Sequence, residues 1–234
     1  MKPDLLKYLG CPGCRSSLTL REIEVEVDQP AAGREVITGS LDCTGCGAQF
    51  DVTEGIPRMH VVATSDRTRS PTAASFGYLW AKSAPGAEPY DPRTYHFAKM
   101  AKALELDPPS GIVLDAGCGD GIDLANQAAL DDVEAIGVEL SDGGARASYL
   151  RTRRMRRIHV VQADLCRLPF AGCLFDFIYS YGVLHHLGVP ERGVRELVRV
   201  VRPGGRNARP QRAADKHAPP PGCLRAAAPS RRWS

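Results

Sequence analysis

The chain has 234 residues, 43% of them hydrophobic and 24% charged, enough for one α/β domain and a small second module with a buried core. Its formal charge of +3 is unevenly spread: seven of the 30 Lys/Arg but one of the 27 Asp/Glu lie in residues 206–234, so the rest is mildly acidic and gives no charge argument for nucleic acid. No stretch approaches the roughly 20 apolar residues of a membrane helix and the first residues form no signal-like run, so a soluble cytoplasmic protein without membrane partners is expected.

Residues 1–62 hold two tight cysteine pairs, Cys11-x2-Cys14 and Cys43-x2-Cys46. Between them "LTLREIEVEV" and "REVITGSLDC" alternate apolar and polar side chains around "DQPAAG", the pattern of two strands and a turn. Such a hairpin brings the pairs together, and four thiolates suit one tetrahedral zinc. Four protein ligands leave no open position, so the zinc expected on Cys11, Cys14, Cys43 and Cys46 is structural. Pro12, Gly13, Gly45 and Gly47 suit the tight turns that aim backbone amides at the sulfurs. The other cysteines (Cys118, Cys166, Cys173, Cys223) are scattered and expected to be reduced.

Residues 63–92 have a linker's Pro, Ser and Gly content but also carry Phe76, Tyr78 and Trp80, which are expected to dock on the next domain. Residues 93–205 alternate helix and strand patterns. "TYHFAKMAKALEL" has helical spacing; "GIVLDAG", "VEAIGVEL", "IHVVQAD" and "FDFIYSYG" are apolar strands; "DGIDLANQAALD", "SDGGARASYLRTRRM" and "PERGVRELVRVV" are the helices between and after them. This alternation predicts a parallel sheet covered on both faces. Residues 206–234 are different: 18 of 29 are Ala, Pro or Arg, and a disordered basic tail is expected. The same composition fits a shifted reading frame in GC-rich DNA.

The first strand runs into "VLDAGCGDG" (113–121), a glycine turn that admits a ligand against bare backbone at a helix start. A dinucleotide fingerprint would need a third glycine where Ile122 stands, and Asp115 would repel a diphosphate. A cofactor carrying positive charge fits better.

The stretch resembles the first motif of class I methyltransferases, D/E-x-G-x-G-x-G, whose cofactor is S-adenosylmethionine. Asp115, Gly117, Gly119 and Gly121 match it, with Cys118 inside the turn; the resemblance implies that they hold the methionyl part and ribose. Glu139, followed by Leu140, matches the acid that accepts from the ribose hydroxyls. Asp164 and Leu165 match the adenine site; Tyr181, at the end of the fourth strand, is a candidate cofactor contact by its position. "LPFAGCLFDFIYSYGVLHHL" and "RELVRVVRPGG" resemble the family's later motifs, so the resemblance covers about residues 111–205. "LLKYLGCPGC" and "LDCTGCGAQFDVTEGIPRM" resemble the Trm112-like zinc ribbon.

The expected fold is thus a Rossmann-like parallel sheet, preceded by a zinc-ribbon β module and missing its C-terminal strands. The fourth strand would then be an exposed edge, open to self-association. The expected activity is methyl transfer to an unidentified, small-molecule acceptor. An RNA methyltransferase and a non-catalytic cofactor-binding protein are the alternatives. Basic and acidic residues nearly balance in the ribbon, which disfavours RNA. His185, in the loop after the fourth strand, is the candidate catalytic residue; His186 is expected to pack. The basic run "RTRRMRR" (151–157) is expected to be a solvated helix end.

Overall fold

The computed structural model describes residues 1–28, 33–60, 78, 80, 96–103, 109–127 and 132–208. The "DQPAAG" turn, Phe76 with most of the 63–92 linker, and the tail beyond 208 lie outside the described residues.

After a short 3-10 helix (Pro3–Tyr8), four antiparallel strands follow in sequential order: β1 (Leu18–Asp28), β2 (Gly33–Cys43), β3 (Gln49–Thr53) and β4 (Ile56–Pro57). Strand alternation sets which side chains go in. On β3, Phe50 and Val52 are buried while Gln49, Asp51 and Thr53 face solvent. Val36 and Leu41 of β2 are fully buried. Register shifts near Glu22–Val25 mark a bulge in β1; Ile23 within it and Val27 beyond it are exposed.

The second layer system begins with α1 (His96–Ala103) and β5 (Gly111–Ala116), then α2 (Ile122–Gln127), β6 (Val133–Glu139), α3 (Asp142–Thr152), β7 (Ile158–Gln162) and β8 (Phe175–Tyr179). A 3-10 turn (Leu184–His186), α4 (Pro190–Val200) and β9 (Val201–Ala208) complete it. The strands pair in parallel in the order β7-β6-β5-β8-β9. Every residue of β7 is buried, as expected of a strand covered on both faces. The chain steps outward from β5 to β7 and returns to β8 on the other side of β5. That reversal opens a crevice at the carboxyl ends of β5 and β8.

Two expectations are corrected. β8 is not an edge: Phe175 pairs with Val201, and Phe177, Ile178 and Tyr179 pair with Arg206, Asn207 and Ala208 across a register shift at "RPGG". Residues 206–208 therefore belong to a strand and not to the tail. Parallel pairing is made by backbone amides and carbonyls, so an outer strand can form from a sequence with few apolar side chains, and β9 becomes the edge. Cys118 and Cys166 are free thiols, as expected, whereas Cys173 is disulfide-bonded and not reduced.

The ribbon docks directly on the sheet. Gly10 N–H donates to Pro169 O (2.9 Å) and Met59 N–H to Gln162 O (2.8 Å), with backbone bridges Leu9–Phe170 and Arg58–Gln162 alongside. One apolar cluster joins Leu5, Leu9, Leu41 and Met59 to Leu114, Ile136, Val161, Phe170 and Phe175. Arg58 reaches Asp142 (2.6 Å) and Gln162 Oε1 (2.9 Å), and Lys2 Nζ donates to Ile158 O (2.8 Å).

At this seam His159, 4% exposed, lies with Nε2 3.1 Å from Glu134 Oε1, while Tyr8 donates to Glu134 Oε2 (2.7 Å). His159 Nδ1 is buried with no hydrogen-bond partner. Burial lowers the His159 pKa, and the hydrogen bond from His159 holds the Glu134 carboxyl down at about 2. Both folded-state values lie below the unfolded ones, so both contributions are present at neutral pH and lost on acidification. The His159 contribution falls away as pH drops below about 6.5, and the Glu134 contribution between about 4.5 and 2. Amide exchange at Gly10 and Met59 is expected to quicken from pH 7 to 5, and His159→Gln to flatten the upper part of that response. Exchange independent of pH, after correction for intrinsic rates, would contradict this account.

Candidate functional site

Two constellations stand out: the glycine turn with its surrounding carboxylates at the carboxyl ends of β5, β6 and β8, and the four cysteines of the ribbon.

At the first, β5 ends at Ala116 and the turn begins. Gly117 (φ +89) and Gly121 (φ +79) occupy the left-handed region that side chains resist. A Cβ on Gly121 would collide with Ser148 of α3, so the glycine lets that helix close on the turn. Gly117 and Cys118 donate to Val138 O (2.8 and 3.1 Å), fixing the turn to β6. The indole of Trp80 covers Gly119, within 3.0 Å of where a Cβ would stand, and Val183 covers Gly117. Trp80 therefore docks on the sheet domain, as the aromatic linker suggested; Tyr78 is exposed.

Asp115, 2% exposed, has a buried Oδ2 with no hydrogen-bond partner. Burial pushes its pKa well up, and the nearby charges of Asp123 and Glu139 push it further. Three carboxylates thus share one low-dielectric space around bare backbone, an arrangement that repels anions and calls for a cation. Glu139 ends β6, accepting from Gly119 N (3.2 Å), Ser141 N (2.8 Å) and Ser141 Oγ (2.6 Å). Ser141 in turn accepts from Gly144 N, capping α3.

Asp164, two residues beyond β7, accepts from Cys166 N at Oδ1 (2.8 Å), and its carbonyl accepts from Arg167 N (2.9 Å). The Leu165 side chain is buried in the core shared with the ribbon. Cys118 is likewise inward, its sulfur 3.5 Å from Ser148 Oγ, so neither side chain lines an open pocket wall. Leu140 contributes its carbonyl to Gln162 Nε2 (3.0 Å). Tyr181 is exposed and stacks on His96, centroids 4.5 Å apart. His185 lies on the exposed 3-10 turn with its ring centroid 3.9 Å from that of His186, which is also exposed and not packed in the core as expected.

The sequence reading missed Asp123. In the first turn of α2 it looks like an ordinary dipole-facing acid, yet it turns inward. Tyr179 donates to its Oδ2 (3.0 Å), His96 N–H donates to its Oδ1 (3.1 Å), and His96 Nδ1 lies 3.5 Å from Oδ2. The basic run was also only half understood. Arg151 holds Asp120 through its backbone and carboxylate (3.0 and 3.1 Å), and Arg153 pairs with Glu26 (2.6 Å) and Glu35 (3.6 Å) of the ribbon.

In the second constellation the Sγ atoms of Cys11, Cys14, Cys43 and Cys46 all lie within 4.8 Å of one another. Cys11–Cys46 and Cys14–Cys43 are 3.7 and 3.3 Å apart, near the roughly 3.8 Å edge of a tetrahedron with Zn–S bonds of about 2.3 Å. Gly13 N–H points at Cys11 Sγ, and Gly45 and Cys46 N–H at Cys43 Sγ, each at 3.4 Å. Such amides stabilise thiolates, so donor set and geometry fit a four-coordinate metal.

Residues 114–208 match the family model described as "Methyltransferase domain". Among curated relatives, the 27-O-demethylrifamycin SV methyltransferase of Amycolatopsis mediterranei is 31% identical over 41% of this chain and 36% of its own. A tRNA (carboxymethyluridine(34)-5-O)-methyltransferase of Arabidopsis thaliana is 33% identical over 50% of this chain and 30% of its own. An uncharacterized chloroplastic methyltransferase of the same plant is 25% identical over 85% of this chain and 60% of its own. The chain thus spans between 30% and 60% of the length of these relatives. The glycine turn, the switch between β5 and β8, and the family match coincide on one segment: residues 114–208 match a methyltransferase domain and form a Rossmann-like parallel sheet.

Proposed function

We propose that the protein is an S-adenosylmethionine-dependent methyltransferase acting on a small-molecule acceptor, braced by a structural zinc ribbon. The observation that carries the cofactor reading is Asp115: a buried carboxylate oxygen without a partner, beside two more carboxylates, on a glycine turn. A sulfonium cofactor with a free ammonium group supplies the missing positive charge. A dinucleotide would bring a diphosphate into a site that repels it.

In this reading Asp115 attracts the ammonium group, Gly117 and Gly119 let the cofactor approach the backbone, and Glu139 exchanges its bonds to Gly119 and Ser141 for the ribose hydroxyls. Asp164 accepts from the adenine amino group. Val183 and Trp80 cover the glycines and shield this stretch of backbone from water. When bound, the cofactor supplies an electrophilic methyl on a good leaving group. What remains for the protein is alignment, worth on the order of 7–11 kcal/mol for well-oriented reactants. Where the accepting atom must lose a proton, two exposed imidazoles are at hand: His185 after β8, and His96 beside Tyr181. The Asp123 carboxylate behind His96 favours the latter, because it stabilises the imidazolium that proton uptake creates.

Calorimetry with S-adenosylhomocysteine and, separately, NAD tests the assignment. Saturable heat with the first and none with the second is expected. Binding of NAD, or of neither compound to folded protein, would refute it.

A further inference from the structure

Where the first cysteine knuckle leans on the sheet, a cleft of about 500 Å³ opens between Pro12–Arg15, the Cys166–Arg167 turn, and Arg192 and Glu196 of α4. Three guanidinium groups and one carboxylate line it. The carboxylate is already committed: Glu196 holds Arg199 through two 2.7 Å contacts and accepts from Leu168 N (2.9 Å), leaving Arg15 at 3.7 Å. Among the described residues no carboxylate or carbonyl engages the side chains of Arg167 or Arg192. Arg15 also has φ 66, a left-handed backbone that glycine would adopt without strain, and it lines the cleft. Arg192 lies in the first turn of the eleven-residue α4, whose dipole adds positive potential.

We infer that this cleft binds a compact phosphoryl-bearing ligand. Planar guanidinium groups from three separate chain segments suit the oxygens of one phosphate or diphosphate. The volume is that of a small-molecule pocket, and the ribbon around it carries no extended basic stripe of the kind a polynucleotide follows. The site is separate from the carboxylate-ringed turn, which repels anions, yet adjoins it: Arg167 N–H donates to the carbonyl of Asp164. The inference goes beyond the methyltransferase reading and does not depend on it.

The test is calorimetry on the full zinc-loaded chain with inorganic pyrophosphate, and in parallel with a short single-stranded RNA. Pyrophosphate is expected to bind with a dissociation constant below a millimolar and more weakly as salt is raised. Arg167→Gln and Arg192→Gln are each expected to cost about tenfold. Both side chains are exposed, and an unchanged circular dichroism spectrum and melting temperature in each variant verify an intact fold. No heat with pyrophosphate, or variants that bind it like the parent, would overturn the proposal. So would RNA binding about a hundredfold tighter than pyrophosphate and lost in the same variants, because the cleft would then be one stretch of a polynucleotide track.

Discussion

Asp115→Asn is expected to raise the melting temperature of the ligand-free protein and to abolish its response to S-adenosylhomocysteine. The two effects have one cause. In the free protein a carboxylate oxygen is buried without a partner, and the charges of Asp123 and Glu139 add to its cost. Asn cannot ionise and can donate to the neighbouring carboxylates, so it relieves a penalty on the order of 1–3 kcal/mol for an unsatisfied buried group. In the complex the same charge is what the cofactor's ammonium group binds. Ligand at a hundred times its dissociation constant stabilises the native protein by about 2.7 kcal/mol. For a chain of this size that is a rise of roughly 5–10 °C, and the variant is expected to show none of it. Gly121→Ala separates this from plain damage: its Cβ collides with Ser148, so it should lower the melting temperature with and without ligand. Thermal scans of the three proteins with and without S-adenosylhomocysteine decide the matter. A full ligand shift in Asp115→Asn would remove Asp115 from the cofactor site, and with it the main support for a cationic ligand.

The parallel sheet was legible because apolar runs broken by glycine turns leave few alternatives for "GIVLDAG", "VEAIGVEL" and "IHVVQAD". The cysteine cluster was legible because the spacing of two cysteine pairs limits what their thiolates can do. β9 was not, since "VRPGGRNA" has a turn's composition and joins the sheet through its backbone, where side-chain patterns give no signal. Asp123 was missed for a related reason. An acid in the first turn of a helix is favoured whatever its side chain touches, so its bonds to Tyr179 and His96 exist only once β8 and α1 are placed. Leu165 keeps its side chain in a core shared with the ribbon, so its backbone amide is what it has to offer a ligand at the adenine position. Sequence motifs fix the backbone that surrounds a ligand more firmly than the side chains that face it.

Because the ribbon and sheet share that core, stripping the zinc proposed for the ribbon's four thiols should be felt across the whole molecule. Full-length protein is expected to contain one zinc per chain. Stripping it with a strong chelator is expected to unfold the ribbon and to lower the melting temperature of the remainder. Structural zinc contributes on the order of 10–16 kcal/mol to small ribbons at neutral pH, more than four strands of this size gain from packing alone. Cys43 ends β2 and Cys11 follows the Leu9–Phe170 bridge, so the cluster clamps both the sheet of the ribbon and its contact with the segment between β7 and β8. Releasing the knuckles exposes Leu9, Leu41 and Met59 and uncovers Phe170 and Phe175 of the methyltransferase domain. Cys43→Ser should therefore lose zinc and most soluble yield together, while Cys166→Ser, outside the cluster, should retain one zinc. Metal analysis beside circular dichroism makes the comparison. Stable, fully folded protein without zinc would show that these four thiols hold the ribbon by packing alone, and the seam with the sheet would then have to be explained by its apolar contacts and by Arg58, Lys2 and Tyr8 without help from a metal.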